Sequence, residues 1–264
     1  MDTFPEIEDK WNEWYDNKYI HARLEVPGFL SARRFVIFEG APKYMTLFDL
    51  TSIDVLASKT YLKLRDREAS LPTDSFEAVT PKLPNFSCGV YEQVYPEREY
   101  CMPNTEIIMA VGIDVPPDKE DEFNAWYNTD HIRAMERIPG FVTLRRFAAI
   151  QPRSPSLSNL VLPCPKYLAL YDIESVEVLQ SEAADKARQS PWTSWVHSWY
   201  NRRFLNIGRR IYPKPGGEQG EAELKMERDI LKKQLRTLPR SRYTVLGDEA
   251  DADLLPHTAP EPDS

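Results

Sequence analysis

Glu122 to Phe147 reads EFNAWYNTDHIRAMERIPGFVTLRRF, and the chain has already carried nearly the same text from Lys10 to Phe35, KWNEWYDNKYIHARLEVPGFLSARRF. Set side by side without a gap, Trp11 to Phe38 and Phe123 to Ile150 share 11 of 28 residues. Among them are Trp14/Trp126, Tyr15/Tyr127, Pro27-Gly28-Phe29/Pro139-Gly140-Phe141 and Arg33-Arg34-Phe35/Arg145-Arg146-Phe147. The match resumes at PKYMTLFDLTSIDVLAS (Pro42 to Ser58) against PKYLALYDIESVEVLQS (Pro165 to Ser181). A repeat this long exceeds the roughly 20 to 50 residues of a solenoid unit. The chain therefore reads as a small domain duplicated, with a first repeat over 1–100, a second over 101–215 and a tail over 216–264.

Hydrophobic periodicity gives each repeat its elements. Trp11, Trp14, Tyr15, Tyr19, Ala22 and Val26 recur at three- and four-residue steps, which is one buried face of a helix, and Pro27-Gly28 stops it. Strands are expected over Leu30–Phe38 and Tyr44–Leu50, a helix over Thr51–Asp66 capped by Thr51 or Ser52, and a further strand over Phe86–Tyr95. The second repeat reads strand, helix, strand, strand, helical region, strand over Asn104–Val115, Asp118–Ile138, Phe141–Gln151, Tyr167–Asp172, Ser175–Tyr200 and Phe204–Tyr212, with Asp118 as helix cap. That βαββαβ order is the ferredoxin-like unit. The first repeat lacks the opening strand, and Arg242–Gly247 is a candidate to fill its place. A single such unit leaves one sheet face uncovered, so the expected fold is α+β: two tandem ferredoxin-like repeats closing as an intramolecular pseudo-dimeric barrel.

Charge limits what such a body binds. With 41 acidic against 33 basic residues and a net charge of −8, the chain lacks the basic surface a nucleic-acid backbone requires. Cys88, Cys101 and Cys164 are odd in number and follow no metal-ligand spacing, which reads as reduced thiols in a cytoplasmic protein without a bound metal. No apolar run reaches the roughly 20 residues that span a bilayer. Gln151–Cys164 is a Pro- and Ser-rich loop absent from the first repeat, and Glu221–Leu238 carries Leu224, Leu231, Leu235 and Leu238, a helical stripe suited to docking on the body or on a second copy. Glu249–Ser264 has the composition of a disordered tail.

The helix motif WY(D/N)xxH, followed by PGF and an arginine-bearing strand, resembles the EthD-like branch of the dimeric α+β barrel superfamily across both repeats. That resemblance implies chemistry without metal or organic cofactor on aromatic or polyketide-like compounds: dehydration, decarboxylation or cyclisation. It equally covers cofactor-independent monooxygenases, haem enzymes and proteins of no known reaction.

His131 is the sharpest catalytic candidate. It lies four residues after Tyr127 on the inner helix face with Ala134 and Ile138, and it matches the histidine of the family motif. A buried neutral imidazole can serve as acid or base; the alternative is a core histidine held by one hydrogen bond. The first repeat has Tyr19 there, with Lys18 for Asp130, so one site is expected, in the second repeat. Arg145 and Arg146 alternate across a strand, so one faces the interior. There it either anchors a substrate oxyanion or forms a structural ion pair, the reading favoured by the shared pairs Arg33/Arg145 and Asp49/Asp172. Trp126, Tyr127, Tyr167 and Tyr171 are candidate pocket residues, and Trp192, Trp195 and His197 stand in an aromatic cluster that could wall it. The reading is a cofactor-independent lyase or isomerase acting on a small apolar oxygenated substrate. The rival readings are a monooxygenase and a non-catalytic ligand-binding barrel.

Overall fold

The chain is described from a computed structural model over residues 1–96, 99–101, 103–150, 164–215 and 244–246. The strands are β1 (Phe29–Glu39), β2 (Tyr44–Leu50), β3 (Tyr91–Tyr95), β4 (Glu99–Cys101), β5 (Ile107–Asp114), β6 (Phe141–Ala149), β7 (Tyr167–Ile173), β8 (Asn201–Tyr212) and β9 (Thr244–Leu246). Seven of them form one sheet in the order β2-β1-β8-β5-β7-β6-β3, each neighbour antiparallel. Within it β8-β5-β7-β6 has the strand order of a ferredoxin-like unit. The first stretch joins it through both ends: β1 pairs with β8, and β3 pairs with β6.

The opening strand of the first stretch is absent among the described residues, but its last position is occupied. Met1 exchanges two backbone hydrogen bonds with Tyr44, each 3.0 Å, just where Ile113 stands opposite Tyr167 in the second stretch. The candidate filler does not take this place. Thr244–Leu246 runs parallel to Glu99–Cys101 in a separate two-stranded sheet, because a three-residue β4 left outside the large sheet offers it an unpaired edge.

Each stretch carries one long helix with a widened turn in its middle. Glu8–Trp14, the π turn Tyr15–Tyr19 and Ile20–Leu24 run on as one; so do Glu120–Trp126, the π turn Tyr127–His131 and Ile132–Glu136. A π turn inserts one extra residue per turn, so His131 and its neighbour Ile132 are both buried, followed by Met135 and Ile138. The expected Ala134 is only half-buried. Asp118 does not cap this helix; it lies in a 3-10 turn, Pro117–Lys119, and the helix start has no side-chain cap. The expected helix over Thr51–Asp66 divides: Ser52 caps a 3-10 turn Ile53–Ala57, and Ser58 caps the helix Lys59–Ala69. Tyr91–Tyr95 is shorter than the expected Phe86–Tyr95. Of the loop expected over Gln151–Cys164 all but Cys164 lies outside the described residues, as do the helix expected over Glu221–Leu238 and the tail Glu249–Ser264.

Both helices end at the same turn for the same reason. Gly28 has φ +105° and Gly140 φ +94°, and a Cβ there would stand 2.3 Å from Val55 Cγ2 or 2.4 Å from Val178 Cγ2. Only glycine combines that backbone with that approach.

The sheet is covered on both faces. One helix packs Phe123, Trp126, Tyr127, Ile132 and Met135 onto β5, β7 and β6; the other packs Trp11, Trp14, Tyr15, Ile20 and Leu24 onto β1 and β2. On the opposite face a third cluster is built by strand residues alone, Phe35, Ile37, Ile108, Ala110 and Leu170. Among the described residues no helix is long and apolar enough to cross a membrane.

Candidate functional site

The alternation of β6 separates the two arginines. Arg145 points to the strand-only face, and its Nη1 donates to Asp49 of β2 at 3.1 Å. Arg33 does the reciprocal, pairing with Asp172 of β7. Thr143 donates to Asp172 at 3.0 Å and Ser31 to Asp49 at 3.0 Å, so the two stretches exchange equivalent ion pairs across their contact, as in an isologous interface. Arg145 is thus engaged with the other stretch.

Arg146 points the other way, into the seam between helix and sheet, and the remaining candidates gather there. His131, 8 % exposed, brings Nε2 within 3.1 Å of Tyr171 Oη. Tyr171 Oη is in turn bonded to Tyr127 Oη, a contact that excludes solvent on both sides since each tyrosine is 2 % exposed. Trp126 covers the imidazole with its ring 4.7 Å away, and its Nε1 donates to Thr193 Oγ1 at 3.1 Å. The Arg146 guanidinium lies 4.2 Å from the Tyr127 ring centroid and donates to Asn128 Oδ1 and, at 2.8 Å, to Asn124 Oδ1. Asn124 Nδ2 donates at 3.2 Å to the hydroxyl of Tyr167.

Burial decides the protonation of this seam. It pushes His131 down to about 3, with the nearby His197 and Arg146 adding to the effect. It raises Tyr127 to about 12 and Tyr171 well above the ordinary phenol range. At neutral pH the imidazole and both phenols are uncharged.

The hydrogen positions follow by counting. His131 Nδ1 is buried and has no hydrogen-bond partner. If Tyr127 donates to Tyr171 and Tyr171 to Nε2, both phenolic hydrogens are used and one group, Nδ1–H, is left over. If His131 donates from Nε2 instead, the Tyr127 hydrogen and the Nδ1 lone pair are both stranded. A buried unpaired polar group costs about 1–3 kcal/mol, so the first arrangement prevails. His131 is a neutral donor at Nδ1, held in that tautomer by two tyrosines.

The aromatic cluster after β7 divides differently from the expectation. Ser190 caps Pro191–His197, which fixes the helix phase so that Thr193 and Val196 face inward, each 0 % exposed, while Trp192 and Trp195 are 37 % and 52 % exposed. Neither tryptophan walls the seam; Trp195 Nε1 donates to Glu122 at 2.6 Å. His197 is exposed, with its ring 5.9 Å from Trp126. Asp130 accepts from Ser190 at 3.0 Å.

In the first stretch the same seam is closed by charge. Tyr19 replaces His131 beneath the guanidinium of Arg23, 3.2 Å above its ring, and Arg23 makes a two-bond ion pair with Glu68 at 2.8 and 3.0 Å. Sequence reasoning missed Asn124 and Asn128. The signal was in the alignment, where Asp16 faces Asn128. Among the described residues no group of three or more His, Cys, Asp and Glu stands where it could hold a metal ion.

No family model and no curated protein matches the chain. Solved structures are similar in shape. An anthrone oxidase-like protein aligns with a TM-score of 0.49 and 13 % identity over 80 % of this chain and 88 % of its own. A protein of the EthD family from Bacillus halodurans gives 0.27 and 16 %, over 40 % of this chain and 98 % of its own. A heme-binding protein from Thermus thermophilus gives 0.43 and 10 %, over 79 % and 83 %. The neighbours, chlorite dismutase-like and monooxygenase-like proteins among them, are of the dimeric α+β barrel superfamily. With identities this low and TM-scores below 0.5, no role passes from them to this chain.

Proposed function

We propose that the chain is two tandem ferredoxin-like units, 1–100 and 101–215, closed on each other as an intramolecular pseudo-dimeric α+β barrel, with 216–264 as an appended tail. On this reading the second unit holds a cofactor-independent acid/base site of lyase or isomerase type for a small apolar, oxygenated or aromatic substrate. The observation that carries the reading is the buried chain Tyr127–Tyr171–His131, which ends in an Nδ1 with no partner. A neutral Nδ1–H polarises a carbonyl oxygen and stabilises the enolate formed when the adjacent carbon gives its proton to a solvent water, from which the carbon is later reprotonated.

One feature favours this over a haem site held through Nε2: that nitrogen is engaged by Tyr171.

Enolisation is the step shared by dehydration, decarboxylation and cyclisation next to a carbonyl, and it is measurable alone. Incubation with 1-tetralone in deuterated buffer should give deuterium at carbon 2 faster than buffer does, by mass spectrometry, and His131→Gln and Tyr171→Phe should return the rate to background. Exchange indifferent to His131 refutes the site, and so does the absence of exchange. Dioxygen uptake coupled to substrate loss transfers the chain to the monooxygenase class.

A further inference from the structure

Arg146 and its counterpart Arg34 are held by the same two positions of their helices, with one difference. Arg34 Nη1 bonds to the carboxylate of Asp16 at 2.7 Å and Nη2 to Asn12 Oδ1. Arg146 Nη1 bonds to the amide oxygen of Asn128 and Nη2 to Asn124 Oδ1. The oxygen acceptors are kept and the counter-charge is removed. Arg146 is 2 % exposed, and among the described residues no carboxylate lies within ion-pair distance of it. A buried cation without a partner is strongly disfavoured. Here it is surrounded instead by the ring faces of Tyr127, Phe123 and Tyr167 at 4.2, 5.3 and 5.6 Å, which offset only part of that penalty. Beside Tyr127, with ring centroids 5.0 Å apart, lies His131, whose Nδ1 has no hydrogen-bond partner and which is more than nine-tenths buried.

We propose that this seam seats an anionic ligand, a carboxylate or an ionised enol on a flat conjugated skeleton, with Arg146 supplying the counter-charge that Asp16 supplies to Arg34. Asn124 and Asn128 are half-buried, so the guanidinium lies one side chain beneath the surface, and an oxyanion reaches it by displacing an amide oxygen. The planar guanidinium suits a two-oxygen acceptor, and the aromatic walls suit the skeleton. This deepens the reading of the preceding subsection by giving the substrate class of its site.

Three probes of similar size separate charge from shape: 1-naphthoate as carboxylate, 4-hydroxycoumarin as acidic enol, and neutral 1-naphthamide, each titrated calorimetrically into the full chain at a pH of about 7.5, where both acids are ionised. At least one of the anions should bind about tenfold or more tighter than the amide, the ratio expected of one charge-assisted bond, and which of them does so identifies the oxyanion. Asn128→Asp rebuilds the arrangement already present around Arg34, so it should fold, and it should bring the anion within about twofold of the amide. Arg146→Gln should do the same. Equal binding of anion and amide by wild type, no binding of either anion, or an anion preference that survives Asn128→Asp overturns the proposal. His131→Gln keeps the two readings apart: it should retain the anion preference while losing deuterium exchange. Preference without exchange sinks the acid/base reading alone; His131-dependent exchange without preference sinks this one alone.

Discussion

Asp172→Asn is the substitution that most directly tests how the two stretches are held together. Asp172 and Arg33 are 0 % and 1 % exposed as side chains, and they come from different stretches. Asp172 also accepts from Thr105 at 3.1 Å and Thr143 at 3.0 Å. An asparagine keeps the size and one acceptor oxygen but strands the Arg33 cation. Arg33 Nε and Nη2 already have no hydrogen-bond partner, and the guanidinium loses its direct ion-pair partner. Removing one member of a buried pair costs about 3–5 kcal/mol. The reciprocal change, Asp49→Asn, should cost less, about 1–3 kcal/mol, because Asp49 is itself 16 % exposed and only partly desolvated. Burial alone would raise the pKa of Asp172, but the charges of Arg33 and Arg145 outweigh it and hold the carboxyl below its ordinary value. A depressed carboxyl contributes stability above the unfolded pKa, near about 3.9, and loses it as pH falls through the folded value. Urea unfolding should therefore separate wild type from Asp172→Asn widely at about pH 7 and progressively less below about pH 4. Replacing both partners by apolar residues, Arg33→Met with Asp172→Leu, should cost less than Asp172→Asn alone. A loss under about 1 kcal/mol, a loss no greater than that of Asp49→Asn, or a gap independent of pH would refute the argument.

Other predictions concern the seam. His131 is held neutral in the folded chain down to about pH 3 while the unfolded chain takes up a proton near about pH 6.5. Between about pH 6.5 and about pH 3, wild-type stability should fall more steeply with decreasing pH than that of His131→Phe, by at most about 1.4 kcal/mol per pH unit in urea titrations. Tyr171→Phe removes the middle of the chain and strands both His131 Nε2 and Tyr127 Oη. It should destabilise by about 2–4 kcal/mol, more than Tyr127→Phe, which leaves Tyr171 still donating to His131 and should cost about 0.5–1.5 kcal/mol; the reverse order would overturn the donor assignment. Trp195→Ala, on the outer helix face, should change stability by less than about 1 kcal/mol and leave probe titrations at the seam unaltered.

The parts of this fold legible in the sequence were those set by local rules. The turn glycines, the β1–β2 and β6–β7 hairpins and the inward helix face all follow from steric and periodic constraints that act within a few residues. The paired Arg33/Arg145 and Asp49/Asp172 were legible because each position recurs in both stretches. What stayed hidden depends on phase. A π turn leaves no mark in a three- and four-residue pattern, since it merely widens one step, and so Met135 rather than Ala134 lies beneath His131. The Trp192–Trp195 helix was misread because aromatic content does not say which face is inward; the Ser190 cap and Pro191 set that. Thr51 to Asp66 holds two serine caps, Ser52 and Ser58, and either could have begun the helix.

The asymmetry between the seams is the strongest physical ground for a single site. Both share the π turn, the turn glycine, the ring stack and the seam arginine, which are the parts that position side chains. Among their differences on the helix are three that bear on the seams: Asp16 against Asn128, Tyr19 against His131 and Arg23 against Met135. In the first seam each buried cation has a carboxylate partner, Arg34 with Asp16 and Arg23 with Glu68. In the second the cation lacks a carboxylate and the imidazole lacks a partner at Nδ1. Buried polar groups are ordinarily satisfied, and local violations of that rule concentrate where a molecule does its work. Among the described residues, a buried cation without a carboxylate and a buried Nδ1 without a partner, with the charge-paired version of the same arrangement preserved in the same polypeptide, set the second seam apart from the first.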